Sequence, residues 1–113
     1  MKNVIEVNGI NFETEILQAP GPVVVDFYAP WCGPCKMLTP LLEGFSSEFA
    51  GRVKFAKANV DDNPELAACF EISAVPTLLL FSHGKVIDQI RGFPGPGPLK
   101  AWLQKAAGAA IPA

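Results

Sequence analysis

No block of basic residues occurs in this sequence. Nine Lys and Arg stand against eleven Asp and Glu, for a formal net charge of −2, and the basic residues are spread along the chain. The electrostatic footprint of a nucleic-acid binder is therefore missing. No apolar run approaches the ~18 residues needed to span a bilayer, and Met1 to Asn8 lacks the apolar stretch of roughly 7 to 15 residues that a secretory leader carries. A cytoplasmic protein with no membrane contact is expected. Histidine occurs once and cysteine three times. That cysteine count cannot close a disulfide framework, and Cys32, Cys35, Cys69 and His83 lack the paired spacing of a zinc centre, so neither staple is expected.

What is present is enough to fold without one. Half of the residues are hydrophobic and only 18% are charged, which favours a packed globule over a disordered segment. A single domain over residues 1–113, working as a monomer, is expected at this length.

Asn3 to Val7 reads as an edge strand, and Asn11 to Leu17 as a short helical stretch ended by Ala19-Pro20-Gly21-Pro22. Val23 to Ala29 is nearly continuous apolar and β-branched, as a strand covered on both faces must be, and is taken as the central strand. Lys36 to Phe49 has helical periodicity, with a kink expected at Pro40. Val53 to Val60 is a second buried strand. Asn63-Pro64-Glu65 reads as an N-cap and first turn of a helix through Phe70. Thr77 to Phe81 and Val86 to Ile90 form a hairpin turning at His83-Gly84. Gly92 to Pro98 reads as a loop, and Leu99 to about Ala107 as a final helix. This order predicts an α/β domain whose central mixed sheet has helices on both faces.

The chemistry concentrates in Trp31-Cys32-Gly33-Pro34-Cys35. Cys32 lies where a buried strand has ended and a helix begins, beside unpaired backbone N–H groups and the positive end of the helix dipole, which favours a thiolate. Pro34 is tolerated there because the N–H it lacks would have no intrahelical partner. Spacing of three on a helical turn sets both sulfurs on one side, close enough to bridge, with Cys32 outermost. Thiolate Cys32 is then the nucleophile toward a substrate disulfide, and Cys35 resolves the mixed disulfide. The dipole contributes about 0.3 to 1 kcal/mol, less than one pKa unit, and Gly-Pro adds no charge or side-chain donor. A histidine in that position would stabilise the thiolate further and make an oxidant, so its absence points to a reductant.

With Asp26, Trp31-Cys32-Gly33-Pro34-Cys35-Lys36 and Val75-Pro76-Thr77 in this order and spacing, the chain resembles the thioredoxin family over nearly its whole length, least at residues 91–98 and after Gly108. The resemblance implies the thioredoxin fold and protein-disulfide reduction that maintains cytosolic thiols. It assigns proton exchange with Cys35 to Asp26; independently, a carboxyl inside Val23 to Ala29 is desolvated and its pKa should be raised. It places Lys57 near Asp26 as a tuning cation. Pro76 matches the family's cis-proline, which leaves the backbone of Val75 free to pair with an extended substrate. Trp31, Gly33, Pro34, Val60, Ala74, Val75, Pro76, Gly92 and Phe93 would make up the surface that substrates meet. The implied partners are disulfide-containing proteins and, as electron donor, an NADPH-dependent flavoenzyme, thioredoxin reductase. The chain has no dinucleotide fingerprint of its own, and no cofactor is expected.

Three positions depart from the usual pattern. Tyr28 stands where tryptophan is common, Arg91 brings charge to a generally apolar rim, and Pro94 to Pro98 is unusually rich in Pro and Gly. Cys69, beside Leu66 and Phe70, is expected to be a small buried hydrophobe, with a regulatory thiol as the alternative. His83 is expected to be a solvated turn residue. The rival functions are an oxidase or isomerase on the same fold, opposed by Gly-Pro, and a noncatalytic binding module, which would gain nothing from both cysteines and Asp26.

Overall fold

The structure, a computed structural model, describes residues 3–109. Five strands, β1 (Val4–Glu6), β2 (Val23–Tyr28), β3 (Lys54–Asn59), β4 (Thr77–Ser82) and β5 (Lys85–Arg91), form one sheet in the order β1-β3-β2-β4-β5. The first three strands run parallel, and β4 and β5 are antiparallel additions. The mixed sheet and the central place of β2 are as expected. Every residue of β2 from Val23 to Phe27 is buried, because both faces are covered.

One face lies under a wide turn, Glu13–Leu17, closed by Gln18 N–H donating to the Glu13 carbonyl, and under α2 (Pro64–Cys69). Phe12, Ile16 and Phe70 meet Val25, Phe27, Leu79 and Phe81 there. The other face lies under α1 (Gly33–Glu48) and α3 (Pro96–Ala109), where Leu38, Leu42, Leu99 and Leu103 pack on Val24, Phe55, Leu78 and Leu80. Burial of each such leucine contributes roughly 1.5 to 3 kcal/mol, so this face anchors the helix that carries the cysteines. The helix α1 runs on across Pro40; the missing N–H leaves the Lys36 carbonyl without its intrahelical donor.

Three expectations need correction. The final helix starts at Pro96, not Leu99, with Leu99 N–H donating to the Gly95 carbonyl. Pro96 and Pro98 occupy the first turn, where an N–H would have no intrahelical partner, so the Pro-rich stretch opens the helix instead of preceding it. Asn63 precedes α2, but its side chain donates to the Asn59 carbonyl at 2.9 Å and makes no cap. Cys69 is exposed: on a helix this short, Leu66, Ala67 and Phe70 take the inward face and turn Cys69 away from it.

The hairpin turns where expected. His83 (φ 52) and Gly84 (φ 80) are both left-handed, the geometry that matches the twist of the paired strands, and His83 is exposed. A Cβ on Gly84 would lie 3.1 Å from the Leu17 carbonyl oxygen, so glycine is needed there for space as well as for its φ.

Candidate active site

Beyond β2 the chain turns through Ala29, Pro30 and Trp31 into α1. Cys32 N–H donates to the Ala29 carbonyl at 3.1 Å, which fixes the corner. Cys32 is the N-cap of α1 in extended geometry, and its sulfur accepts the backbone N–H of Cys35 at 3.2 Å. The two sulfurs are bonded to each other, with their Cα atoms 5.3 Å apart. Both residues are nearly hidden, Cys32 at 4% exposure and Cys35 at 2%. The expected contrast between an outer and an inner cysteine is thus slight in the oxidised pair.

Around the pair pack Ala29, Tyr28, Val60 and Val75. Val75 precedes a cis peptide bond to Pro76. Gly92 N–H donates to the Pro76 carbonyl at 2.8 Å, tying the end of β5 to the same corner. Gly33 and Pro34, between the cysteines, are exposed, as is Ala74, next to Val75 in the chain. Trp31 is 70% exposed, and its indole Nε1–H donates to Asp61 Oδ2 at 3.0 Å, so the ring is oriented although not buried. Phe93 departs from the rest: it packs on the core beneath α1 and α3.

Asp26 is 2% exposed and its Oδ1 has no hydrogen-bond partner. Burial pushes its carboxyl up to about 7; the Lys57 charge opposes that rise and the Glu6 charge adds to it. Lys57 is the register partner of Asp26 on β3, and its ammonium lies 3.9 Å from Glu6 Oε1. Thr39 links this region to the pair, since it borders the small cavity beside Asp26 and donates its hydroxyl to the Cys35 carbonyl at 3.0 Å. A larger cavity of about 660 Å³, bordered by Pro22, Arg52 and Lys54, opens at the start of β2 and β3, the opposite end from the cysteines.

Asp61, Glu6 and Thr39 escaped the sequence reading. Asp61 carried a signal, because it follows a parallel strand at its C-terminal end, where α/β sheets place their sites. Glu6 carried none, since its importance depends on which strand β1 pairs with.

A buried, bridged cysteine pair capping a helix at the C-terminal edge of a parallel β-strand defines a thiol-disulfide oxidoreductase. Comparison with known proteins narrows the class. The thioredoxin family profile matches residues 3–105. A thioredoxin from Haemophilus influenzae is 46% identical over 87 residues, 77% of this chain and 81% of that protein. One from Rickettsia felis is 41% identical over 100 residues, 88% of this chain and 95% of that protein, and thioredoxin 1 of a Nostoc species is 36% identical over 105 residues, 93% and 98%. The chain belongs to the thioredoxin family. It reduces protein disulfides by dithiol-disulfide exchange, and its partners are disulfide-containing substrates and a reductase. No helix among the described residues is long and apolar enough to cross a membrane.

Proposed function

We propose that the chain acts as a single-domain, monomeric reductant of the cytoplasm, recharged by an NADPH-dependent flavoenzyme, thioredoxin reductase. The observation that carries the reading is the Cys32 sulfur at the N-cap of α1, where the Cys35 N–H already donates to it. The same donor is in place for a Cys32 thiolate once the pair is reduced.

In this reading thiolate Cys32 attacks one sulfur of a substrate disulfide. A Cys32-substrate disulfide forms, the substrate disulfide breaks, and the departing substrate sulfur takes a proton. The Asp26 carboxylate accepts the Cys35 proton, and the Cys35 thiolate attacks the Cys32 sulfur. The Cys32–Cys35 bond forms as the second substrate thiolate leaves, so two electrons pass to the substrate. Lys57 tunes Asp26 by its charge. Trp31, Gly33, Pro34, Val60, Ala74, Val75, Pro76, Gly92 and Phe93 form the substrate surface; the contacts of Val60 and Val75 with the pair support their part in it, whereas Phe93 has the weaker support of a neighbouring loop position.

The neutral Gly33-Pro34 pair supports a reductant over an oxidase, and a reductant suits the reducing compartment. The test is the equilibrium of the Cys32 and Cys35 dithiol against glutathione in a Cys69→Ala chain. A potential below about −230 mV supports the reductant, and one near −150 mV makes the chain an oxidase or isomerase.

A further inference from the structure

Glu6 and Tyr28 lie on different strands, yet the Tyr28 hydroxyl donates to the Glu6 carboxylate, 2.9 Å from Oε2 and 3.1 Å from Oε1. The parallel registers of β1 with β3 and of β3 with β2 set Glu6, Lys57 and Asp26 in one row across three strands. Tyr28 follows Asp26 by two residues and so lies on the same face. Exposure falls along the row, from 50% for the Glu6 side chain and 29% for Lys57 to 2% for Asp26.

The Lys57 ammonium therefore has two carboxylates within the row to choose between. It lies 3.9 Å from Glu6 Oε1 and 5.7 Å from the centroid of the Tyr28 ring. Hydration favours the outer end, and both the Glu6 charge and the ring face attract a cation there. The Tyr28 hydroxyl keeps Glu6 from turning into solvent, and Tyr28 itself packs against the cysteine pair. Burial first, and then the hydrogen bond to Glu6, raises the Tyr28 phenol, so it remains a donor across the working pH range. Among the described residues bordering the small cavity beside Asp26, the other acidic group is Glu43 of α1, with Thr39 and Leu42 next to it. The neighbour on β4, Leu78, is apolar. Among the described residues bordering that cavity, Lys57 is the cation.

We propose that Glu6 and Tyr28 are a positioning pair that holds the Lys57 ammonium at the outer end of the row, leaving Asp26 without a salt bridge and free to take and return a proton. The functional half rests on the reading of Asp26 as the proton-exchange partner of Cys35. A carboxylate locked against an ammonium is a poor proton acceptor near neutrality. Lys57 already lowers the Asp26 carboxyl from where it stands, so bringing its ammonium closer would lower it further.

The test is a carbon-13 NMR titration of the Asp26 carboxyl in the full, reduced chain, for the wild type, Glu6→Gln, Tyr28→Phe, Lys57→Met and the Glu6→Gln/Lys57→Met double variant. Glu6→Gln should lower the Asp26 midpoint by about one pH unit, because Lys57 turns inward to Asp26. Tyr28→Phe should shift it the same way by less, and the Glu6→Gln shift should largely vanish once Lys57 is Met. An unchanged midpoint in Glu6→Gln, or a shift of equal size with and without Lys57, overturns the positioning; the second result would leave Glu6 as no more than a nearby negative charge. The pH profile of mixed-disulfide resolution in Asp26→Asn is measured alongside. A profile identical to the wild type removes the proton-exchange reading and the functional half of the proposal, whatever the titrations of Glu6 and Tyr28 variants report.

Discussion

The backbone N–H of Cys35 donates to the sulfur of Cys32 at 3.2 Å, so the cysteine proposed to open the exchange caps the helix at the one proposed to close it. The two cysteines should fail differently when replaced. Cys32→Ser should lose disulfide reduction by roughly 10³-fold or more, as removal of a covalent nucleophile does. Cys35→Ser should still attack but not release, and a Cys32-substrate adduct should accumulate to one equivalent by mass spectrometry. Free turnover by Cys35→Ser would contradict the assigned order of attack.

Asp26 should cost the oxidised fold stability as pH rises. Burial pushes its carboxyl up to about 7 in the folded chain, from an ordinary value of 3.8. Below about pH 3 the group is protonated in both states and costs nothing; between about 3 and 7 the unfolded chain ionises first, and stability falls with pH. Above pH 7 the loss levels off at about 4 kcal/mol. Asp26→Asn should therefore be more stable than the wild type in urea at pH 8 by an amount of that order, and little different at pH 3. An equal effect at both values would show that the carboxyl does not titrate as its burial requires.

Trp31 is held in place although it is 70% exposed, through its indole N–H to Asp61. Asp61→Ala should release the ring without unfolding anything. In a Trp102→Phe background, the remaining fluorescence should show greater anisotropy loss, and kcat/KM toward a protein disulfide should fall about three- to tenfold, the scale of one exposed hydrogen bond to a charged group. Global stability should change by less than about 1 kcal/mol.

The hairpin supplies a prediction that concerns stability alone. Gly84→Ala places a Cβ at φ 80 and 3.1 Å from the Leu17 carbonyl oxygen. A loss of about 1 to 3 kcal/mol in denaturant unfolding is expected, with the redox potential unchanged because the turn is remote from the cysteines.

Much of this protein was determined by the sequence alone. The nearly continuous apolar run of β2 required a strand covered on both faces, His83-Gly84 required a tight turn, and Cys32 to Cys35 required one side of a helix's first turn. Each depends only on neighbours within a turn or a pleat of one another, and each stands in the structure as read. The desolvated Asp26 was legible for the same reason, since its burial follows from the residues flanking it. Where local pattern was ambiguous, tertiary structure decided: the Pro-rich stretch from Pro96 became the start of α3, and Cys69 turned outward because the partners of Leu66 and Phe70 lie on distant strands. The site's cross-strand relations were beyond the sequence altogether. Glu6 meets Tyr28 and Lys57 only because β1 pairs with β3 in one register, and Trp31 meets Asp61 only because β2 and β3 end side by side. Strand order and register are fixed by the burial of the whole sheet between its two layers of helices, a free energy that no single segment carries.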